Sequence, residues 1–319
     1  MIAIENFDTV PLSNRYYGGS AGRKIGVVWN NDNWLLKYPK NTSDLEGSVA
    51  SYSTAPLSEY LGSHIYHTLG IPVHDTVLGI REGKLVCACR DFVHPGSTFY
   101  DFRNLKNSVS DNLSGFSHDA SDGMSVVLAD VIAAIPHIPA LQQTPHVIER
   151  FWDMFVTDAF IRNIDRNNTN WGVLISDTYT QLAPVYDNGN SFNNKRTLHA
   201  ITQRLQDADL LRQDALDVRS CYTTTSGKPI APLKYIASGQ DPDCTAALGR
   251  FLSRVNMSDI TRIFTEIPES VRGVDIATDE YKEYHLQLLD YRLTNILQPA
   301  YRKLQTHDRG ECQPHRLKQ

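Results

Sequence analysis

From Pro145 to Ile164 the chain reads PHVIERFWDMFVTDAFIRNI, with apolar residues at Ile148, Phe151, Trp152, Phe155, Ala159 and Phe160. That helical rhythm predicts a well-buried helix, and it breaks off at the polar run Asp165-Arg166-Asn167-Asn168-Thr169-Asn170. A short apolar strand (171–175), a turn (176–180) and a second strand (181–186) then lead to Asp187-Asn188-Gly189. A buried helix that delivers one carboxylate to a loop, followed by a hairpin that delivers another, leaves few ways to fold. Asp165, Asn170 and Asp187 must issue from adjacent backbone turns.

Upstream, residues 25–38 (IGVVWNNDNWLLKY) read as a hairpin around an Asn-Asp-Asn turn, with Lys37 near the end of its second strand. Leu57, Leu61, Ile65 and Leu69 mark a helix from Pro56 to Leu69, stopped by Gly70 and Pro72 and carrying Glu59. Residues 73–92 form two more strands across Glu82-Gly83. The stretch 96–123 is polar and reads as an insertion or mobile loop before a short helix at 125–135. Helices are predicted near 197–218, 244–256 and 278–305, with a polar tail after Leu304. The class is α+β, β-rich over 1–92 and α-rich over 93–319.

Phosphoryl transfer suits these residues. An Asp in a D-x-x-x-x-N loop orients an acceptor hydroxyl and takes its proton, and the Asn and a later Asp hold magnesium. Asp165 to Asn170 fits that spacing, with Asp165 as catalytic base and Asn170 and Asp187 as metal ligands. Magnesium accepts a few hard oxygens and keeps its waters. Lys37 is the candidate cation for the nucleotide phosphates and Glu59 its partner. Each part alone has an ordinary explanation, since Lys and Glu are mostly exposed and Asp and Asn favour turns. Their order along the chain is what a random scatter would seldom reproduce.

Other motifs fail on the letters. An EF-hand started at Asp165 needs Gly and Glu where Asn170 and Ser176 stand. Gly18-Gly19-Ser20-Ala21-Gly22-Arg23-Lys24 lacks Gly-Lys-Ser/Thr, so it is no Walker A loop. It reads either as a flap whose small residues bring backbone N–H groups to phosphate, with Gly19, Ser20, Ala21, Gly22 and Lys24 as nucleotide contacts, or as a flexible turn. Cys87 and Cys89 share a strand face and read as a core pair, while His64 and His67 read as surface helix residues. Five scattered cysteines imply free thiols and a reducing, cytoplasmic setting, with export as an effector left open. A net charge of −5 attracts neither nucleic acid nor an anionic membrane, and no apolar run approaches the roughly 20 residues of a span.

The blocks around Lys37 (LLKYP), Glu59 (LSEYLGSHIYHTLGIPV), Asp165 (FWDMFVTDAFIRNIDRNNTNWG) and Asp187 (APVYDNGNSF) resemble those of the HipA-like serine/threonine kinases, most closely their short CtkA-type form. The likeness spans about residues 16–192. It implies a two-lobed protein-kinase-like fold, ATP and magnesium as cofactors, and a serine or threonine of a protein as acceptor. It also implies Arg90 and Phe92 as the hinge that meets adenine, and autophosphorylation beside the glycine-rich loop, where Ser20 is the nearest serine and Tyr17 lies closer to the expected position. Family members commonly carry His where this chain has Asn167. Full-length relatives have an extra N-terminal subdomain that meets a DNA-binding antitoxin. This chain starts almost at the glycine-rich loop, so that subdomain is not expected here, and the resemblance leaves an antitoxin-like regulatory protein as a partner without its usual contact. One rival, a small-molecule kinase, would use the same magnesium residues; the other, a pseudokinase that only binds nucleotide, is opposed by the intact Lys37, Asp165, Asn170 and Asp187.

Overall fold

The computed structural model describes residues 1–18, 22–42, 45, 49–110 and 126–311. Its first part is a five-stranded sheet in the order β1-β4-β5-β3-β2, formed by β1 (Glu5–Asn6), β2 (Lys24–Trp29), β3 (Asp32–Lys37), β4 (Thr76–Arg81) and β5 (Lys84–Arg90). Two tight hairpins set the register. Trp29 pairs with Asp32 across Asn30 and Asn31, both at positive φ, and Arg81 pairs with Lys84 across Glu82-Gly83, also both at positive φ. Left-handed two-residue turns match the strand twist, and Asn and Gly tolerate them best. The first turn therefore sits one residue before the Asn-Asp-Asn of the prediction. Lys37 is the last residue of β3, opposite Lys24 on one side and Cys87 on the other.

Helix α1 (Ala55–Thr68) covers one face of this sheet. Leu57, Leu61 and Ile65 are fully buried in a core that continues from α1 and the sheet into the helical part of the chain. A smaller cluster around Phe7, Val27, Trp34 and Leu36 also packs on the strands. His67 is exposed, but His64 is half-buried with its ring 3.9 Å from that of Tyr60, so the surface reading holds for only one of the two.

Part of the segment read as a loop is ordered. Strand β6 (Ser97–Asp101) pairs antiparallel with a later strand, and α2 (Phe102–Ser110) follows, anchored by buried Phe102 and Leu105. The alternation of Phe99 with exposed Thr98 and Tyr100 is a strand signal that the polar composition masked. Residues 111–125 lie outside the described residues. The chain then forms β7 (Val126–Val127), α3 (Leu128–Ala134) and α4 (Pro139–Gln142) before the long buried α5 (Val147–Ile161). β8 (Gly172–Ser176) and β9 (Thr180–Leu182) make a sheet with β6 in the order β6-β8-β9. β9 is shorter than predicted, and Pro184 cannot donate to a ladder.

The remainder is helical. The region expected as one helix at 197–218 is two, α6 (Leu198–Leu205) and α7 (Ala208–Leu216), because the Asp207 carboxylate accepts from the amides of Asp209 and Leu210 and starts a new helix. β10 (Tyr222–Thr223) pairs with β7, and α8 (Pro232–Ser238), α9 (Pro242–Arg254) and α10 (Met257–Thr265) precede a small hairpin, β11 (Ser270–Val271) and β12 (Val274–Asp275). α11 (Asp279–Arg292) passes through a π-helical turn into α12 (Gln298–Glu311), which extends the helix past Leu304. No helix among the described residues is long and apolar enough to cross a membrane.

α1 is held to the helical part at one crowded point. A Cβ added at Gly62 would lie 2.7 Å from the Cβ of Asn188. Alanine in an exposed helix would favour the helix by about 1 kcal/mol, but here the clash decides. Gly62→Ala is expected to lower the melting temperature, because α1 must back away from the Asp187 turn, and a melting curve checks it.

Candidate active site

The chain runs from β5 past the sheet edge and returns with the Asp165 loop and the Asp187 turn facing β3. Between them lies a cleft of about 740 Å³, lined among others by Lys24, Leu35, Lys37, Phe92, Asp165, Asn170 and Asp187. The separated blocks of the sequence meet here. Lys37 Nζ lies 2.8 Å from Glu59 Oε2 and 2.8 Å from Asp187 Oδ1, one contact bridging 22 positions and the other 150. Burial alone would lower the Lys37 pKa, but the charges of Asp187 and Glu59 more than reverse it and hold the ammonium well above its ordinary range. Burial likewise pushes both carboxyls up, but Lys37, joined at Glu59 by the bond to His74, more than offsets it, so both end below the usual carboxylate range. Lysine is charged and poised in the cleft.

Glu59 is fully buried and uses both oxygens. Its Oε1 lies 3.0 Å from His74 Nε2, a residue to which the sequence attached no role. His74 reaches it because its amide donates to the Val185 carbonyl and the Val185 amide donates to Pro72, which splices the segment after α1 onto the one that leads to Asp187. Nothing local predicts that pairing.

Asp165 is held at both carboxylate oxygens: Asn167 Nδ2 donates to Oδ1 at 2.8 Å and Asn190 Nδ2 to Oδ2 at 2.7 Å. Desolvation raises its pKa, the Asn167 bond opposes this, and the charge of Asp187 raises it again, for a net upward shift. The Asn170 side-chain nitrogen donates to the Asp165 carbonyl at 2.7 Å, and among the described residues Asn170 Oδ1 accepts only from the Thr169 hydroxyl at 3.3 Å. Asp187 sits in the left-handed region at φ 59, a conformation Asp tolerates better than most residues.

Arg166 organises all of this from beneath. Its guanidinium is buried and donates to both carboxylate oxygens of Asp158 on α5, to the carbonyls of Asn170 and Tyr186, and to Asn188 Oδ1. Asp158 also accepts from Tyr66 on α1 at 2.8 Å, and Asn188 Nδ2 donates to Ser63 on α1 at 3.1 Å. One side chain thus joins the Asp165 loop, the Asp187 turn and α5, and through these to α1. Arg166 and Asn188 stand inside the two motifs, yet only their tertiary partners reveal the role.

The expected hinge residues differ from one another. The Arg90 guanidinium pairs with Asp32 and Asp75, at 2.9 and 3.2 Å, rather than with a residue of the catalytic cluster. The Phe92 ring packs edge-on against Phe99 and tilted against Tyr186. The amide of Asp91 donates to Asn33 and that of Val93 to the Asp91 side chain, whereas that of Phe92 meets no acceptor among the described residues. Tyr17 donates to Asp91 at 2.8 Å, lies across Gly26 and lines the cleft. Of the glycine-rich stretch, Gly22 is exposed at φ 76 and Lys24 lines the cleft, while Gly19, Ser20 and Ala21 lie outside the described residues.

No family model matches the chain. Among curated proteins it is similar to the serine/threonine-protein kinase CtkA of Helicobacter pylori, 29% identical over 289 residues, or 89% of this chain and 83% of that protein. Among solved structures it is similar to a Helicobacter pylori proinflammatory kinase CtkA, with a TM-score of 0.81 and 27% identity over 94% of this chain and 98% of the other. It also matches HipA of Shewanella oneidensis, solved with HipB and operator DNA, with a TM-score of 0.50 over 95% of this chain and 70% of that one. At 11% identity that likeness carries the fold alone.

Proposed function

We propose that this HipA-like serine/threonine protein kinase of the CtkA type moves the γ-phosphoryl group of ATP onto a protein hydroxyl, in the cleft bounded by Lys37, Asp165, Asn170 and Asp187. The observation that carries the reading is the double contact of Lys37 with Glu59 and Asp187, each at 2.8 Å, opposite a doubly held Asp165. Residues 1–92 then serve as the nucleotide-facing lobe and 93–319 as the acceptor lobe.

Lys37, fully charged, binds phosphate oxygens, and Glu59 limits where its ammonium can go. Asn167 and Asn190 orient the Asp165 carboxylate, which aligns the acceptor hydroxyl and takes its proton as the new O–P bond forms. The amide of Phe92, which meets no acceptor among the described residues, supplies a polar contact for the base, and Phe92 supplies apolar surface. Magnesium fits the donors present: Asn170 offers Oδ1 because its nitrogen is spent on Asp165, and Asp187 offers a carboxylate of depressed pKa. Both are hard oxygens, and magnesium needs few from protein when it keeps water and phosphate ligands. When bound, it neutralises phosphate charge as transfer proceeds. Autophosphorylation near the glycine-rich loop and an antitoxin-like regulator are further parts of this reading.

Purified protein incubated with γ-labelled ATP, magnesium and a generic basic protein acceptor is expected to place label on serine or threonine. Label on neither the chain nor the acceptor, with nucleotide binding intact, would overturn the transferase reading in favour of a binding-only module. Label on a small molecule alone would make it a small-molecule kinase.

A further inference from the structure

The wall behind Lys37 contains three side chains with metal-binding atoms. Glu59, His74 and Cys89 each offer one such atom, all within 4.8 Å of one another, and all three residues are buried. Cys89 pairs with Leu35 across the sheet, and both line the cleft with His74, whereas Cys87 does not. From this geometry we infer a binding site for a thiophilic divalent cation such as zinc at Glu59, His74 and Cys89, whose occupancy inhibits nucleotide binding.

Tetrahedral zinc takes nitrogen and oxygen at about 2.0–2.2 Å and sulfur at about 2.3 Å, which spaces neighbouring ligand atoms roughly 3.3–3.6 Å apart. Glu59 Oε1 and His74 Nε2 are already 3.0 Å apart, so an ion enters between them with a separation of a few tenths of an ångström. The charges balance. The Cys89 thiol loses its proton to solvent, the proton that His74 Nε2 donates to the Glu59 carboxylate moves through solvent to Nδ1 and frees Nε2 for the ion, and two negative ligands offset a dication. Lys37 then keeps Asp187 as a partner. Three protein ligands leave a fourth position for water, the arrangement of accessible rather than closed zinc sites. The inhibition rests on the kinase reading above: the ion draws on the charge of Glu59, which positions Lys37 for phosphate. Binding itself does not depend on that reading.

The test titrates cadmium, a spectroscopic substitute for zinc, into the full chain without nucleotide and follows the thiolate-to-metal ultraviolet absorbance. A single equivalent is expected to bind. The signal should survive Cys87→Ala, vanish in Cys89→Ala, and need at least about tenfold more metal in His74→Gln. Cys89→Ser, which keeps the shape of the side chain but not its softness, carries the test if alanine unfolds the chain. Wild-type protein loaded with zinc and cleared of free metal should bind a fluorescent ADP analogue several-fold more weakly than metal-free protein. An absent signal, or one that survives both Cys89 substitutions, overturns the site. A Cys89-dependent signal with unchanged nucleotide affinity overturns the inhibition. Either result leaves the labelled-ATP experiment to judge the kinase reading separately.

Discussion

Asp165→Ala is expected to turn over about 10²- to 10⁴-fold more slowly than the parent, the range that loss of a positioned base spans, while binding nucleotide within a few-fold of wild type. The split follows from the geometry. The Asp165 carboxylate contacts Asn167 and Asn190 but neither Lys37 nor Glu59, so the Lys37–Glu59 pair stays intact. Single-turnover phosphotransfer and a nucleotide titration read the two halves independently, and parental turnover in the variant would remove Asp165 from the mechanism. The pH profile adds a directional check. Burial and the charge of Asp187 raise the Asp165 carboxyl against the opposing Asn167 bond. Because the base must be ionised, the acid limb of kcat should lie above the range of an ordinary aspartate, with activity growing as pH rises through it. Asn167→Ala removes an interaction that favours the ionised form, so it should move that limb higher still.

Arg166→Ala is expected to destabilise the fold by about 3–5 kcal/mol, the usual cost of leaving one member of a buried ion pair alone. The loss is larger than for a surface pair because the guanidinium is almost fully buried and serves five acceptor atoms on three segments. Its removal leaves the Asp158 carboxylate buried with only Tyr66 and Asn163 as donors. Lysine cannot substitute, since a single ammonium does not span the same fork. Denaturant unfolding measures the stability. Arg166→Met combined with Asp158→Asn then separates structure from positioning: it should recover much of the midpoint but little of kcat, because the carbonyls of Asn170 and Tyr186 still lack their donor. Recovery of both would mean that Arg166 only stabilises the fold.

Local signals carried much of the architecture. The two hairpins, α1 and α5 were legible because strand alternation, helical spacing and the residues that end each element all lie within a few positions of one another. β6 was hidden because a polar segment can pair with β8 on the strength of alternate residues such as Phe99, which average composition obscures. The break between α6 and α7 turned on one capping carboxylate, Asp207, inside an otherwise continuous pattern.

The candidate site divides in the same way. The sequence by itself determined the order of its chemical groups, from Lys37 through Glu59 to Asp165, Asn170 and Asp187, because spacing within each motif is a property of neighbouring residues. Only the tertiary structure decided that Glu59 is shared between Lys37 and His74, that Arg166 ties two loops to α5, and that Cys89 stands behind the lysine. These contacts join positions far apart in the chain, and a buried polar group takes whichever partner the packing brings within reach, since leaving it unpaired is costly.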